Sequence, residues 1–121
     1  MLETMIKALV SVLKKITPRV EQGWSTGLKK PYILWDFDGD GPEMRVNYGE
    51  VKYQAFNGTI DYFTDGDSNA VWIAMQDALN EMCYKFPGKF VFGKLSKQVE
   101  EREEARQSAT KHLEWWFRMK A

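Results

Sequence analysis

The C-terminal segment of the chain alternates between two kinds of position. One set of alternate positions is apolar and consists of Leu113, Trp115, Phe117 and Met119, while the intervening positions hold Glu114, Trp116 and Arg118. Because successive side chains of a β-strand point to opposite faces of its sheet, this pattern predicts a strand with one buried face. The rest of the chain must therefore supply elements that cover this face.

Two apolar stripes at helical spacing predict the covering elements. In residues 2–16 and again in residues 69–83, apolar side chains recur at steps of three and four positions, which is the period of one helix face. Pro18 ends the first helix, since proline inside a helix removes a backbone hydrogen bond. Cys83, at the end of the second helix, is expected to be a small core residue.

Other segments are rich in β-branched and aromatic residues and predict strands. They are Tyr32–Trp35, Met44–Phe63 with breaks near Gly49 and Gly58, and Lys89–Val99. Because turns rather than helices join most of these strands, we expect a mostly antiparallel sheet. The sequence thus predicts one α+β domain over residues 1–121, with two layers and both helices on one face of the sheet.

The formal net charge is zero, but the charges are segregated along the chain. Residues 1–35 carry a net charge of +4, residues 36–81 carry −8 and residues 82–121 carry +4. A domain that binds nucleic acid is normally basic overall, so specific nucleic-acid binding is not expected. Segregated patches of opposite sign instead favour association between protein surfaces.

Residues 97–107 contain seven charged side chains and are too polar for a core. They predict an exposed hairpin tip or arm around residues 97–108. The interface candidates are the charges of this arm and the outward-facing tryptophan of the last strand, namely Glu100, Glu101, Arg102, Glu103, Glu104, Arg106 and Trp116. We expect the two arginines to meet an acidic stretch of a neighbouring subunit or partner.

Three closely spaced aspartates follow Trp35. A strand that runs into Asp-x-Asp-Gly resembles the first motif of haloacid-dehalogenase-type phosphatases, but those enzymes need a much larger, doubly wound parallel domain. Asp36, Asp38 and Asp40 also match positions one, three and five of a calcium loop, whereas position twelve is Asn47 instead of the bidentate glutamate. We therefore expect a turn between strands that is, at best, a weak candidate site for a divalent ion.

The remaining residue types do not form a recognisable reaction centre. His112 is the only histidine and Cys83 the only cysteine, so one chain cannot supply a histidine-based metal cage. No apolar run approaches the ~20 residues that a membrane span requires. The sequence therefore predicts no catalytic residues, no cofactor, no tightly bound metal and no membrane contact.

The order of these elements resembles that of a known family. An amphipathic helix leads into the strand Pro31–Trp35, a long extended pair ends at Thr59–Thr64, a helix follows Ser68, and the chain closes on the aromatic strand His112–Phe117. In this order, from about Leu2 to Met119, the chain resembles the tail terminator (tail completion) proteins of long-tailed, non-contractile bacteriophages.

The resemblance implies a structural virion protein that needs no catalytic residues. Proteins of that family form hexameric rings that cap the tail tube, stop its growth and join it to the neck. The implied partners are further copies of the chain, the major tail tube protein and the neck connector protein, with DNA passing through the lumen without specific binding. The implied location is the tail or neck of the virion, after assembly in the host cytoplasm.

Two alternatives remain open on the residues alone. One is a head–tail connector or stopper of the phage neck, which would use the same kind of ring-forming surfaces. The other is a small intracellular α+β module that binds a protein partner.

Overall fold

The computed structural model describes residues 2–23, 29–38, 43–47, 51–64, 69–93 and 111–120. In chain order the elements are α1 (Leu2–Lys14), β1 (Val20–Gln22), β2 (Tyr32–Phe37), β3 (Glu43–Asn47), β4 (Val51–Phe63), α2 (Asn69–Lys85), β5 (Phe90–Phe92) and β6 (Lys111–Lys120). The α+β class expected from the sequence is confirmed.

The strands form one sheet in the order β1-β2-β4-β6-β5, and β3 also pairs with β4. β6 lies along one side of β4, while β2 and β3 share the other side, with Tyr32 opposite Phe63 and Glu43 opposite Ala55. All these pairings are antiparallel except that of β1 with β2, which is parallel. The sheet is therefore mostly antiparallel, as expected, with one parallel edge.

Both helices pack on the same face of this sheet. The buried stripes of α1 and α2 join the inward-facing strand residues in one cluster that includes Met5, Leu9, Val12, Leu13, Ile33, Ile60, Met75, Ala78, Leu79, Met82, Leu113 and Phe117. Cys83 is half-buried against this cluster, and burial raises the pKa of its thiol. The predicted two-layer arrangement follows directly from the two helical stripes and the alternation of β6.

The helices are also joined to each other at the protein surface. The Lys15 ammonium lies 2.9 Å from the Glu81 carboxylate, and Lys85, one turn further along α2, lies 3.5 Å from it. The Lys15 hydrogen bond, opposed in part by desolvation, holds the pKa of Glu81 below its ordinary value. This ion pair joins the C-terminal end of α1 to the C-terminal part of α2.

Trp115 lies at the centre of the aromatic part of the core. Its ring stacks on Phe90 at 6.0 Å and meets Phe37 edge-on at 5.6 Å, and its indole N–H donates to the Thr59 carbonyl at 3.3 Å. Across the strand pair it faces Gly58. A methyl group at Gly58 would overlap both the Trp115 ring and the Asp36 carbonyl oxygen.

Several expectations about the strands need correction. No break occurs at Gly58, because β4 continues through it and the missing side chain makes room for Trp115. β2 extends through Phe37, so Asp36 belongs to a strand rather than to a turn. β5 covers only Phe90–Phe92, and the rest of the strand expected up to Val99 lies outside the described residues.

β1 is a strand that the sequence does not predict, because two of its three residues are polar. It is formed by tertiary pairing: Val20 lies opposite Ile33, and just after it the Gly23 N–H donates to the Trp35 carbonyl at 2.8 Å. The buried Thr17 hydroxyl donates to the Pro31 carbonyl at 3.1 Å, which ties the end of α1 to the start of β2. These bonds hold an otherwise polar segment in extended conformation.

Candidate interaction surface

The face of the sheet opposite the helices carries the side chains of most functional interest. Strand register sets them in rows across β5, β6, β4 and β2. One row consists of Val91, Trp116 and Asn57; the next of Glu114, Thr59 and Asp36; and the next of His112, Asp61 and Leu34. We call this the open face.

The open face has an exposed apolar centre. Val91 on β5 is 52% exposed and its neighbour Trp116 on β6 is 40% exposed. The Trp116 ring lies over Gly93, where a side-chain methyl would come within 3.3 Å of it. Large rings left in water on a strand are typical of surfaces that bind another protein.

A basic strip, made of Lys89 and Arg118, lies on one side of this centre. Both residues are exposed, and the backbone N–H of Arg118 donates to the Lys89 carbonyl at 2.9 Å, which brings the two residues side by side. Arg118 lies two residues from Trp116, on the same face of β6, and Lys89 lies two residues before Val91. Cations therefore flank Val91 and Trp116.

Acidic groups lie on the other side of the centre. Asp61 and His112 face each other across β4 and β6, with Nδ1 of the ring 2.6 Å from the carboxylate Oδ1. Both side chains are about one-fifth exposed, at 23% and 19%. The imidazole N–H donates to the carboxylate, which gives the only histidine of the chain a cross-strand partner.

A cleft of about 260 Å³ opens beside Asp61. Its polar lining includes Asp36, Thr59 and Asp61, and its apolar lining includes Leu34 and Phe63. The lining residue Phe63 stacks on Tyr32 with ring centroids 4.6 Å apart, and both rings are buried. The cleft is small, and its lining combines carboxylates with apolar side chains.

The residues singled out in the sequence fall into two groups. Asp36, Asp38 and Trp116 lie in the described segments; Asp40 and the arm residues Glu100, Glu101, Arg102, Glu103, Glu104 and Arg106 lie outside them, as does the side chain of Met119. Asp36 Oδ1 accepts a hydrogen bond from the Phe37 N–H at 2.8 Å. Trp116 faces the open side of the sheet, as the alternation of β6 predicts.

Sequence reasoning missed an exposed stripe on α2. Ile73 is 57% exposed and Tyr84 is 85% exposed. Asp77, which lies between them along the helix, is also exposed. At 100° per residue these three positions fall within about 40° of each other on the helix, opposite the buried stripe. The signal was present in the sequence as two large apolar residues eleven positions apart, off the core-facing stripe.

Lys111 is a second feature that the sequence did not reveal. It is fully buried at the start of β6, and its ammonium lies 4.0 Å from the centre of the Trp72 ring. A cation over an aromatic face is stabilised by the ring quadrupole. This contact ties β6 to the first turn of α2.

The described segments hold no group of three or more histidine, cysteine, aspartate or glutamate side chains placed to bind a metal ion. Within the same segments, no helix has the length and apolar character that crossing a bilayer requires. No protein-family model matches the chain, and no curated protein matches it significantly.

Proposed function

We propose that this chain is a structural subunit of a phage tail, specifically a tail terminator that forms a ring, caps the tail tube and joins it to the neck connector. The observation that carries the proposal is the pair of exposed residues Val91 and Trp116 at the centre of the open face. Antiparallel sheets commonly leave one face in water, but apolar side chains exposed at the centre of that face gain stability when a further layer of protein covers them. In an assembly, that layer comes from a neighbouring protein.

The charge pattern of the open face supports an assembly role. The basic strip of Lys89 and Arg118 and the exposed carboxylate of Glu114 lie on opposite sides of the apolar centre. Such an arrangement sets the register of a docked partner, because only one orientation brings opposite charges together. The element order from about Leu2 to Met119 supports the tail terminator through the resemblance described above.

The proposal is tested with the purified chain and the major tail tube protein of the same phage. We expect native mass spectrometry to show a hexamer, and electron microscopy to show one ring on the end of each tube and an arrest of tube growth. Rings that bind an isolated portal or neck complex but ignore tube ends would favour the head–tail connector or stopper instead. A chain that binds neither and leaves tube length unchanged would contradict the proposal.

The cleft beside Asp61 favours a second candidate, a small intracellular module that binds a protein partner. Its lining, which combines carboxylates with apolar side chains, would accept a basic side chain with an aliphatic stem, such as lysine or arginine in a peptide. Asp61→Asn would weaken such binding. The same substitution would leave tube capping intact, so the two candidates are distinguishable.

A further inference from the structure

We infer that the open face of one copy is covered by the exposed stripe on α2 of a second copy, in a head-to-tail contact. This inference rests on the proposed function in one respect: it assumes that the partner is another copy of the same chain. The two surfaces lie on opposite layers of the domain, one on the sheet and one on the outer side of a helix. Each copy therefore offers both surfaces at once.

The two surfaces have matching apolar and charged groups. On α2, Ile73 and Tyr84 are 57% and 85% exposed, with the carboxylate of Asp77 between them. On the open face, Val91 and Trp116 are exposed next to two cations. Apolar groups therefore meet apolar groups when Asp77 of one copy lies against the basic strip of the other.

The spacing of the groups fits this alignment. Ile73 and Asp77 are one helical turn apart, a rise of about 6 Å. Trp116 and Arg118 are two residues apart along β6, a distance of about 7 Å. A helix laid along β6 can thus place Ile73 on Trp116 and Asp77 beside Arg118 in the same pose.

The alternative, two open faces meeting each other, uses the same apolar centre but leaves the α2 stripe in water. It would be a twofold, self-complementary contact that ends at a dimer. The head-to-tail contact joins two different surfaces and continues from copy to copy, closing into a ring when the rotation per copy divides the circle. Only the head-to-tail contact gives the stripe on α2 a partner.

Charge reversal separates these arrangements. We propose to measure sedimentation velocity up to millimolar concentration for the wild-type chain, for Asp77→Arg, and for Lys89→Glu combined with Arg118→Glu. We expect the wild-type chain to assemble and each variant alone to assemble at least tenfold more weakly, because like charges meet at every contact. Glu3→Arg, and Lys7→Glu combined with Lys14→Glu, make the same charge changes on exposed positions of α1. They serve as controls and should assemble as the wild-type chain does.

The decisive sample is an equal mixture of the two variants. In a head-to-tail chain of alternating copies, the arginine introduced by Asp77→Arg faces only the acidic strip of the double variant. The unchanged Asp77 of the double variant faces only the native basic strip, so every contact again joins opposite charges. We therefore expect the mixture to recover assembly with an even number of copies. Circular dichroism checks that each variant folds, and Lys89→Glu alone, a change in an exposed turn, replaces the double variant if that variant unfolds.

Three results would overturn the inference: a wild-type chain that stays monomeric at millimolar concentration, an Asp77→Arg variant that assembles normally, or a mixture that does not recover. Failure of tube capping by a chain that does assemble would instead contradict the proposed function and leave this contact standing. The two failures are therefore separate.

Discussion

Gly58 shows how one residue without a side chain determines the packing of the core. The Trp115 ring occupies the space above it, and the Asp36 carbonyl lies close on the neighbouring strand. The sequence indicates a strand break here because glycine is unfavourable in strands. Glycine is required here because of contacts with neighbouring strands, which form only when β2, β4 and β6 pair. The sequence around Gly58 therefore does not indicate this requirement.

We therefore predict that Gly58→Ala destabilises the protein, although alanine normally reduces the entropy of the unfolded chain and stabilises it. Overpacking against a backbone atom that cannot move should cost about 3 kcal/mol or more. Urea unfolding monitored by circular dichroism measures the change. Gly93→Ala is the matched control, because its methyl would meet the partly exposed Trp116 ring at 3.3 Å and the Glu114 carbonyl oxygen at an ordinary contact distance of 3.5 Å. Its cost should stay under about 1 kcal/mol. Equal effects at the two glycines would contradict this interpretation of β4.

The two adjacent tryptophans of β6 should differ strongly, although they are neighbours in the sequence. Trp115 is fully buried and hydrogen-bonded, whereas Trp116 is on the open face. We predict that Trp115→Ala lowers the free energy of unfolding by about 3–5 kcal/mol, while Trp116→Ala has a much smaller effect on the isolated chain. Thermal denaturation of dilute samples compares them, and similar small shifts at both positions would contradict the strand assignment.

The contact between the ends of the helices should make stability depend on pH. The pKa of Glu81 is lowered in the folded state by its hydrogen bond to Lys15, so the pair stabilises the fold at neutral pH. This stabilisation is lost as the pH falls from the unfolded-state pKa, near 4.5, through the lower folded-state pKa. We predict a higher Tm for the wild-type chain than for Glu81→Gln at pH 7, and a difference that shrinks progressively as the pH falls below 4.5.

Salt provides the control for this pH effect. At 1 M salt the screening length falls to about 3 Å, so the difference in Tm between the wild-type chain and Glu81→Gln should shrink at neutral pH as well. A difference that persists unchanged both as the pH falls below 4.5 and in high salt would mean that the substitution acts through packing rather than charge.

Elements with strong periodicity could be predicted from the sequence, and elements made by pairing could not. The expected helices over residues 2–16 and 69–83 correspond to Leu2–Lys14 and Asn69–Lys85, and β6 follows its alternation. β1 has no such pattern and is extended only because β2 binds it. Local periodicity reflects which side of an element is buried, whereas a short polar strand depends on its neighbour.

The candidate surface was predictable only in part, for the same reason. The outward direction of Trp116 follows from alternation along one strand. The contact of His112 with Asp61 joins residues 51 positions apart, and the row of Val91 with Trp116 depends on the register of β5. No pattern within one segment of the sequence specifies these neighbours.

In the molecule as a whole, the helices cover one face of the sheet and leave exposed apolar groups on both outer surfaces. Val91 and Trp116 are exposed on the open face, and Ile73 and Tyr84 on α2. Single exposed apolar residues are common in monomers. Here they occur beside charges of opposite sign on the two layers, which is the arrangement that a repeating contact between copies requires.

Hydroxyl-radical footprinting of dilute and assembled samples tests directly whether the open face is an assembly surface. We predict that oxidation of Trp116 falls several-fold on assembly, because its ring leaves the solvent. Trp72, half-buried against Lys111 and outside both surfaces, should be oxidised equally in the two samples. Unchanged oxidation of Trp116 in a sample shown to be assembled would contradict the assignment of the open face to assembly.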